Sequence, residues 1–199
     1  MNISLLKQAI GNIDIYLIDQ ILKERFKVGD KILDAGCGKG RNLKWFYNTG
    51  FQIYGIDLTE ECIDLCKENF SAQKDHFKVA SLNSISFDEN YFEYIICNAV
   101  LHFAIDFDDF NKMFSNLLSV LKPNGMLFIR MASNFGMELN VVDLGKGNYL
   151  LPDGSQRFLL TAEILDELKD LDQISFVDDV KTTIVEGKRC MTTLILKKL

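Results

Sequence analysis

From about residue 30 to residue 130, short apolar runs alternate with stretches of helical period, and this alternation limits the fold more than any other feature of the chain. KILDAG, FQIYGID, HFKVASL, FEYIICNAV and MLFIRM have the length and content of strands, and the fourth is apolar almost throughout. A strand without a polar side is one covered on both faces, as in a parallel sheet. Residues 39–48 and 59–70 read as helices, the second opened by Thr59 with Glu60 and Glu61. Phe107, Phe110, Phe114, Leu117, Leu118 and Leu121 form a third helical stripe, and Lys122-Pro123-Asn124-Gly125 turns the chain into the fifth strand. The succession predicts an α/β fold, with a parallel sheet wrapped by helices on both faces.

The two ends are different. Leu6, Ile10, Ile13, Leu17 and Ile21 predict one or two amphipathic helices over residues 3–26, with Gly11 as the break. Residues 131–160 are loop-rich, residues 161–171 read as a short helix, and KTTIVE and CMTTLILKK flank Gly187-Lys188-Arg189 as an antiparallel hairpin. The expected organisation is a single domain: a helical cap (1–28), a core (29–130), and a loop, helix and hairpin (131–199). Its sheet is mostly parallel and seven-stranded, finished by the C-terminal antiparallel hairpin.

ILDAGCGKGRNLKWF, residues 32–46, places Gly36, Gly38 and Gly40 directly after the first strand. A glycine turn between a strand and a helix lets backbone approach a ligand and presents free N–H groups at the helix start. Open α/β sheets bind ligands at that end of the strands. The dinucleotide fingerprint sets its third glycine three after the second, a place taken here by Arg41. No G-K-[ST] closes the turn as in a P-loop, and Asp34 beside it would repel a phosphate. A carboxylate there suits a ligand carrying an ammonium or sulfonium charge.

A net charge of −6 argues against a nucleic-acid partner. The five cysteines are scattered, odd in number and free of a C-x-x-C pair, which reads as free thiols in a reducing cytoplasm. Lys7, Asn12, Asp14 and Asp19 interrupt the apolar amino-terminal stretch, so neither a leader nor a membrane span is expected. The expectation is a cytoplasmic protein, monomer or homodimer.

D-x-G-x-G-x-G at the end of a first strand resembles motif I of the class I S-adenosylmethionine-dependent methyltransferases, a family with a Rossmann-like sandwich fold. The resemblance covers roughly residues 30–130 and implies S-adenosylmethionine as cofactor and S-adenosylhomocysteine as product. It maps Asp34, Gly36, Gly38 and Gly40 onto the turn around the cofactor's methionine and ribose, with Cys37, Arg41 and Asn42 beside them. Asp57, followed by Leu58, stands where the family's ribose-binding acid ends the second strand. An ionised carboxylate accepts two hydrogen bonds side by side from a cis-diol. Where the family has an acid for the adenine amino group, this chain has Ser81 and Leu82, a hydroxyl and a packing surface. CNAVLHF resembles the fourth motif, which implies Asn98 and Ala99 beside the methionine end, and LKPNGMLFI resembles the approach to the fifth strand. The GCGKGRN form of motif I resembles the small bacterial branch that includes tellurite-resistance and thiopurine methyltransferases, which implies a small, soft or polar acceptor.

Methyl transfer from a sulfonium is a displacement with a good leaving group. Alignment of the reactants and exclusion of water can supply about 7–11 kcal/mol of the barrier, so no acid or base is obligatory. The reading is methyl transfer to a small-molecule acceptor, such as a metalloid oxyanion or a thiol. His102, just past the fourth strand, is the candidate proton acceptor, against the alternative of a structural histidine. Arg130 and Arg157 are the candidates for gripping an anionic acceptor, against the alternative of surface ion pairs. No metal site is expected. Cys62 and Cys66 lie one helical turn apart among Ile63, Leu65 and Phe70 and read as packing thiols, not metalloid ligands. Asp106, Asp108 and Asp109 read as charges at a helix start. The competing readings are a nucleotide-dependent oxidoreductase, which the glycine spacing and Asp34 oppose; a non-catalytic S-adenosylmethionine-binding regulator; and a methyltransferase for macromolecules, which a basic groove would favour.

Overall fold

The alternation becomes a sheet of eight strands in a computed structural model that describes residues 2–199. Helix α1 (Ile3–Ile10) ends at Gly11, and Asp14 caps α2 (Ile15–Leu22) by accepting from the Tyr16 N–H at 2.9 Å. Then come β1 (Lys31–Ala35), α3 (Lys44–Asn48), β2 (Gln52–Asp57), α4 (Glu60–Asn69), β3 (Phe77–Val79), β4 (Phe92–Asn98), α5 (Phe107–Val120) and β5 (Leu121–Ser133). The remainder is β6 (Val142–Gly145), β7 (Asn148–Leu150), β8 (Gln156–Phe158), α6 (Ala162–Lys169), β9 (Ile174–Phe176), β10 (Lys181–Val185) and β11 (Arg189–Lys198).

The strands run in the order β10-β11-β5-β4-β1-β2-β3, with β9 also paired to β11. Strands β1 to β5 pair in parallel, and β11 lies antiparallel to β5, β9 and β10. The chain moves outward from β1 through β2 to β3, then returns to β4 on the other side of β1. That reversal opens a crevice at the C-terminal ends of β1 and β4.

The period of two along each strand builds the layers. Leu33, Ala35, Ile95 and Cys97 face α5 and α6, with Phe110, Leu117, Ile164 and Leu168 in the same core. Ile32 and Ile96 face the other way, toward Leu17, Phe46 and Ile63. Each such fully buried Leu, Ile or Phe contributes roughly 1.5–3 kcal/mol. The alternation also carries two polar residues to the strand ends on the Ile32 side: Asp34 in β1 and Asn98 in β4.

The helix expected over 39–48 begins only at Lys44, because the glycine turn with its positive φ angles continues past Gly40. The third strand stops at Val79, and the Ser81 hydroxyl, accepting from the Asn83 N–H, starts a 3-10 turn at Leu82–Ser84. The expected turn at 122–125 lies inside β5, as an irregularity with Asn124 at φ +64° that shifts the register between Phe92 and Tyr94. The loop-rich segment holds a second sheet, β6-β7-β8, and β9 is an unforeseen eighth strand of the main sheet.

The amino-terminal helices are stitched to the far end of the chain. Asp178 accepts from Gln20 Nε2 at 3.0 Å, Lys23 Nζ at 2.9 Å and Arg25 Nη2 at 2.6 Å. Burial opposes its ionisation, but the hydrogen bonds from Lys23, Gln20 and Arg25 hold its carboxyl well below the usual range. Among the described residues, no helix is long and apolar enough to cross a membrane.

Candidate functional site

The glycine turn is laced to the end of β2. The N–H groups of Gly36 and Cys37 donate to the Ile56 carbonyl at 2.8 and 2.9 Å, and the Gly38 N–H donates to Asp57 Oδ2 at 2.8 Å. A Cβ on Gly36 (φ +84°) would lie 2.2 Å from Val100 Cγ2, and one on Gly40 would lie 2.5 Å from Phe70 Cε2. A Cβ on Gly38 (φ +51°) would meet nothing within 4 Å. Gly36 and Gly40 are therefore bare to let the protein pack on itself, whereas Gly38 borders open space. Gly38→Ala is expected to cost about 1–2 kcal/mol for its left-handed backbone. Gly36→Ala is expected to lose roughly 1–3 kcal/mol more, because Val100 must move. Urea denaturation of both variants measures the difference, and equal losses would mean that Val100 yields freely.

A cavity of about 330 Å³ opens beside the turn, and Gly36, Asp57, Leu58, Ser81, Leu82 and Ala99 line it. These six sequence candidates come from four separate segments. Phe103 and Met113 complete the apolar wall, and sequence reasoning did not single them out. Besides its contact with Gly38, Asp57 accepts from the Thr59 N–H through Oδ1 at 2.9 Å. Each carboxylate oxygen accepts about two hydrogen bonds, so one position on each is left over.

The other motif residues stand behind the wall. Asp34 is fully buried, and both its oxygens lack a hydrogen-bond partner, as do both polar side-chain atoms of Asn98. Burial, opposed by the Arg41 charge and the nearby Asn42 side chain and reinforced by the Asp57 charge, pushes the Asp34 carboxyl up to about 8. Cys37 packs on Cys66 with its sulfur 4.0 Å away. Arg41 and Asn42 turn toward the amino terminus instead of the cavity. Asn42 Oδ1 accepts from the Asp14 N–H at 3.1 Å, and Arg41 Nη1 donates to the Asn12 carbonyl at 3.3 Å. Asp14, buried between them, also lies 3.5 Å from Arg130. Its place ahead of IYLIDQIL is that of a helix cap, the one sequence signal that marks it.

A second cavity, again about 330 Å³, adjoins the first, and Ala99 lines both. Ala99 holds a left-handed backbone (φ +63°) and donates its N–H to the Arg130 carbonyl at 2.7 Å. His102, Arg130 and Arg157 meet in this second cavity, joined by Arg189, for which the sequence predicts only a place in the hairpin turn. Arg157 lies over the Phe103 ring, 4.9 Å from its centroid, so this stacked pair also stands between the two chambers.

His102 is not placed as a base. Its Nδ1 accepts from the Ala132 N–H at 3.1 Å. A backbone N–H can only donate, so Nδ1 is bare and a neutral ring carries its proton on Nε2. Burial, with the charges of Arg157 and Arg130, lowers its pKa to about 4. This geometry leaves the Nε2–H as a donor and favours the alternative of a hydrogen-bonded structural histidine over that of a proton acceptor.

The family described as "Methyltransferase domain" matches residues 33–129. An uncharacterized protein of Rickettsia prowazekii is 36% identical over 104 residues, 50% of this chain and 41% of that protein. The ubiquinone biosynthesis O-methyltransferase of Pelagibacter ubique is 29% identical over 186 residues, 81% of this chain and 74% of its own. The chain thus spans less than half of the first relative and about three quarters of the second. Among solved structures, a SAM-dependent methyltransferase of Methanosarcina mazei superposes with a TM-score of 0.72 at 22% identity, covering 90% of this chain and 97% of that one. The chain has the Rossmann-like fold of the class I S-adenosylmethionine-dependent methyltransferases, and its residues 33–129 carry the sequence pattern of a methyltransferase domain.

Proposed function

We propose that this chain transfers the methyl group of S-adenosylmethionine to a small-molecule acceptor and releases S-adenosylhomocysteine. When bound, the cofactor supplies a methyl carbon on positively charged sulfur. The first cavity fits such a molecule. Asp57 keeps an acceptor position on each oxygen for a cis-diol, Ser81 and Leu82 offer the base a hydroxyl and an apolar surface, and Asp34 lies orphaned beneath the turn.

The observation that carries the reading is the wall shared at Ala99, which lines both cavities and so sets a donor in one beside an acceptor in the other. The residues then act by holding and by excluding water, which supplies on the order of 7–11 kcal/mol. His102 donates and takes no proton, so the acceptor has to be nucleophilic without help. A thiol or a metalloid oxyanion meets that condition, and the GCGKGRN resemblance implies a small, soft or polar acceptor. A net charge of −6 and an acceptor chamber of about 330 Å³ favour a small molecule over nucleic acid. The setting that goes with this reading is the cytoplasm, with the chain a monomer or homodimer.

Calorimetric titration with S-adenosylhomocysteine tests the donor half. Asp57→Asn is expected to weaken binding by about 1–3 kcal/mol, the range for hydrogen bonds to a charged group. A nicotinamide dinucleotide is expected to give no thermal stabilisation. Unchanged affinity in the variant would remove Asp57 from the site, and failure of the wild type to bind would end the reading.

A further inference from the structure

We infer that the acceptor is an organic molecule carrying a carboxylate or phosphate, seated in the second cavity with that group on Arg157 and Arg189. This deepens the methyl-transfer reading, on which it rests for the reaction, while the anion site itself stands on the cavity.

The chain as a whole is acidic, yet this chamber gathers three arginines against one aspartate. Arg130 is partly engaged by Asp14 at 3.5 Å. Among the described residues, no carboxylate lies within 4.0 Å of Arg157 or Arg189. Asp153, on the same wall, turns Oδ1 to Ser155, whose N–H and hydroxyl donate to it at 3.0 and 2.6 Å, and its single charge offsets only part of the arginines' charge. Arg157 donates through Nη1 to the Gln156 carbonyl at 2.6 Å, and its guanidinium rests on Phe103. That stack holds the planar group in place, ready for two-pronged contact with an oxyanion. The Nε2–H of neutral His102 adds an uncharged donor.

The size of the chamber decides between a bare ion and an organic anion. A volume of about 330 Å³ is in the range of roughly 300–1,000 Å³ typical of sites for small organic ligands. Leu151, Val185 and Met191 give the carbon skeleton an apolar wall. Arg157 rests on Phe103 of the first cavity's wall, so an anion held there lies close to the border with that cavity.

Titration of the full chain with benzoate, phenyl phosphate, neutral benzamide and selenite tests the inference. Benzoate or phenyl phosphate is expected to bind saturably, more weakly as salt is added, and at least 10-fold more weakly to the Arg157→Gln/Arg189→Gln double variant. The tighter of the two identifies the anionic group. Benzamide binding as well as benzoate, an unaffected double variant, or selenite binding more tightly than either organic anion would each overturn it. So would saturation by neither. S-adenosylhomocysteine is expected to bind the Arg189→Gln single variant, which leaves the Phe103 wall untouched, as it binds wild type. Its failure to bind wild type would sink the methyl-transfer reading alone, since the anion titrations do not use it.

Discussion

Asp34→Asn is expected to make the free protein more stable and a poorer ligand binder. The carboxyl is fully buried, unpartnered, and raised from 3.8 to about 8. In the unfolded chain it ionises above about pH 4, whereas in the folded protein it keeps its proton until about pH 8. A raised pKa stabilises fully below the unfolded value and loses that contribution as pH climbs toward the folded one. At pH 7 the accumulated loss is about 4 kcal/mol, at 1.36 kcal/mol per unit. Asparagine has the same shape and no charge, so the variant should gain up to that amount at pH 7 and almost nothing at pH 4. Denaturation across this range measures it, and a variant less stable than wild type at pH 8 contradicts the assignment. The same carboxyl, once ionised, favours a cation nearby. Asp34→Asn should therefore weaken S-adenosylmethionine, with its charged sulfur, more than S-adenosylhomocysteine.

The second large effect is on the acid side. His102 has its pKa depressed from 6.5 to about 4 by burial and by Arg157 and Arg130. Below pH 6.5 the unfolded chain takes up a proton that the folded chain refuses, so stability falls as pH drops toward 4. The full shift corresponds to about 3 kcal/mol. His102→Asn preserves an acceptor for the Ala132 N–H and removes the titration. Wild type and variant should therefore diverge between pH 6.5 and 4, with wild type losing more. Parallel curves over that range would show that His102 titrates normally.

The strands β1 to β5, their helices and six residues around the first cavity were legible because their signals are local and repeated. Asp57 closes a full strand, and the alternation in ILDAG and FEYIICN fixes which side chains face which layer. The surroundings of the second cavity were less legible. Strands β6 to β8 have three or four residues each, and all of β6 is exposed, so no alternation marks them. Arg189 looked like part of a hairpin turn, but it is the first residue of β11 and reaches the second cavity. Arg41 and Asn42 follow motif I in sequence, yet Asp14 and Asn12 draw them to the amino-terminal helices, a contact between segments 28 or more residues apart. His102 was seen, but its role turned on which ring nitrogen meets a backbone N–H, and that is tertiary information.

The border at Ala99 has a consequence for how such a protein diversifies. Apart from Ala99 and His102, every residue around the second chamber comes from position 130 onward, just beyond the stretch that carries the methyltransferase-domain pattern. Under the proposed function, the methyl source and its recipient would be gripped by different portions of one polypeptide, on either side of Ala99. Drift in the later portion can retune what is modified while the earlier portion keeps the same fuel.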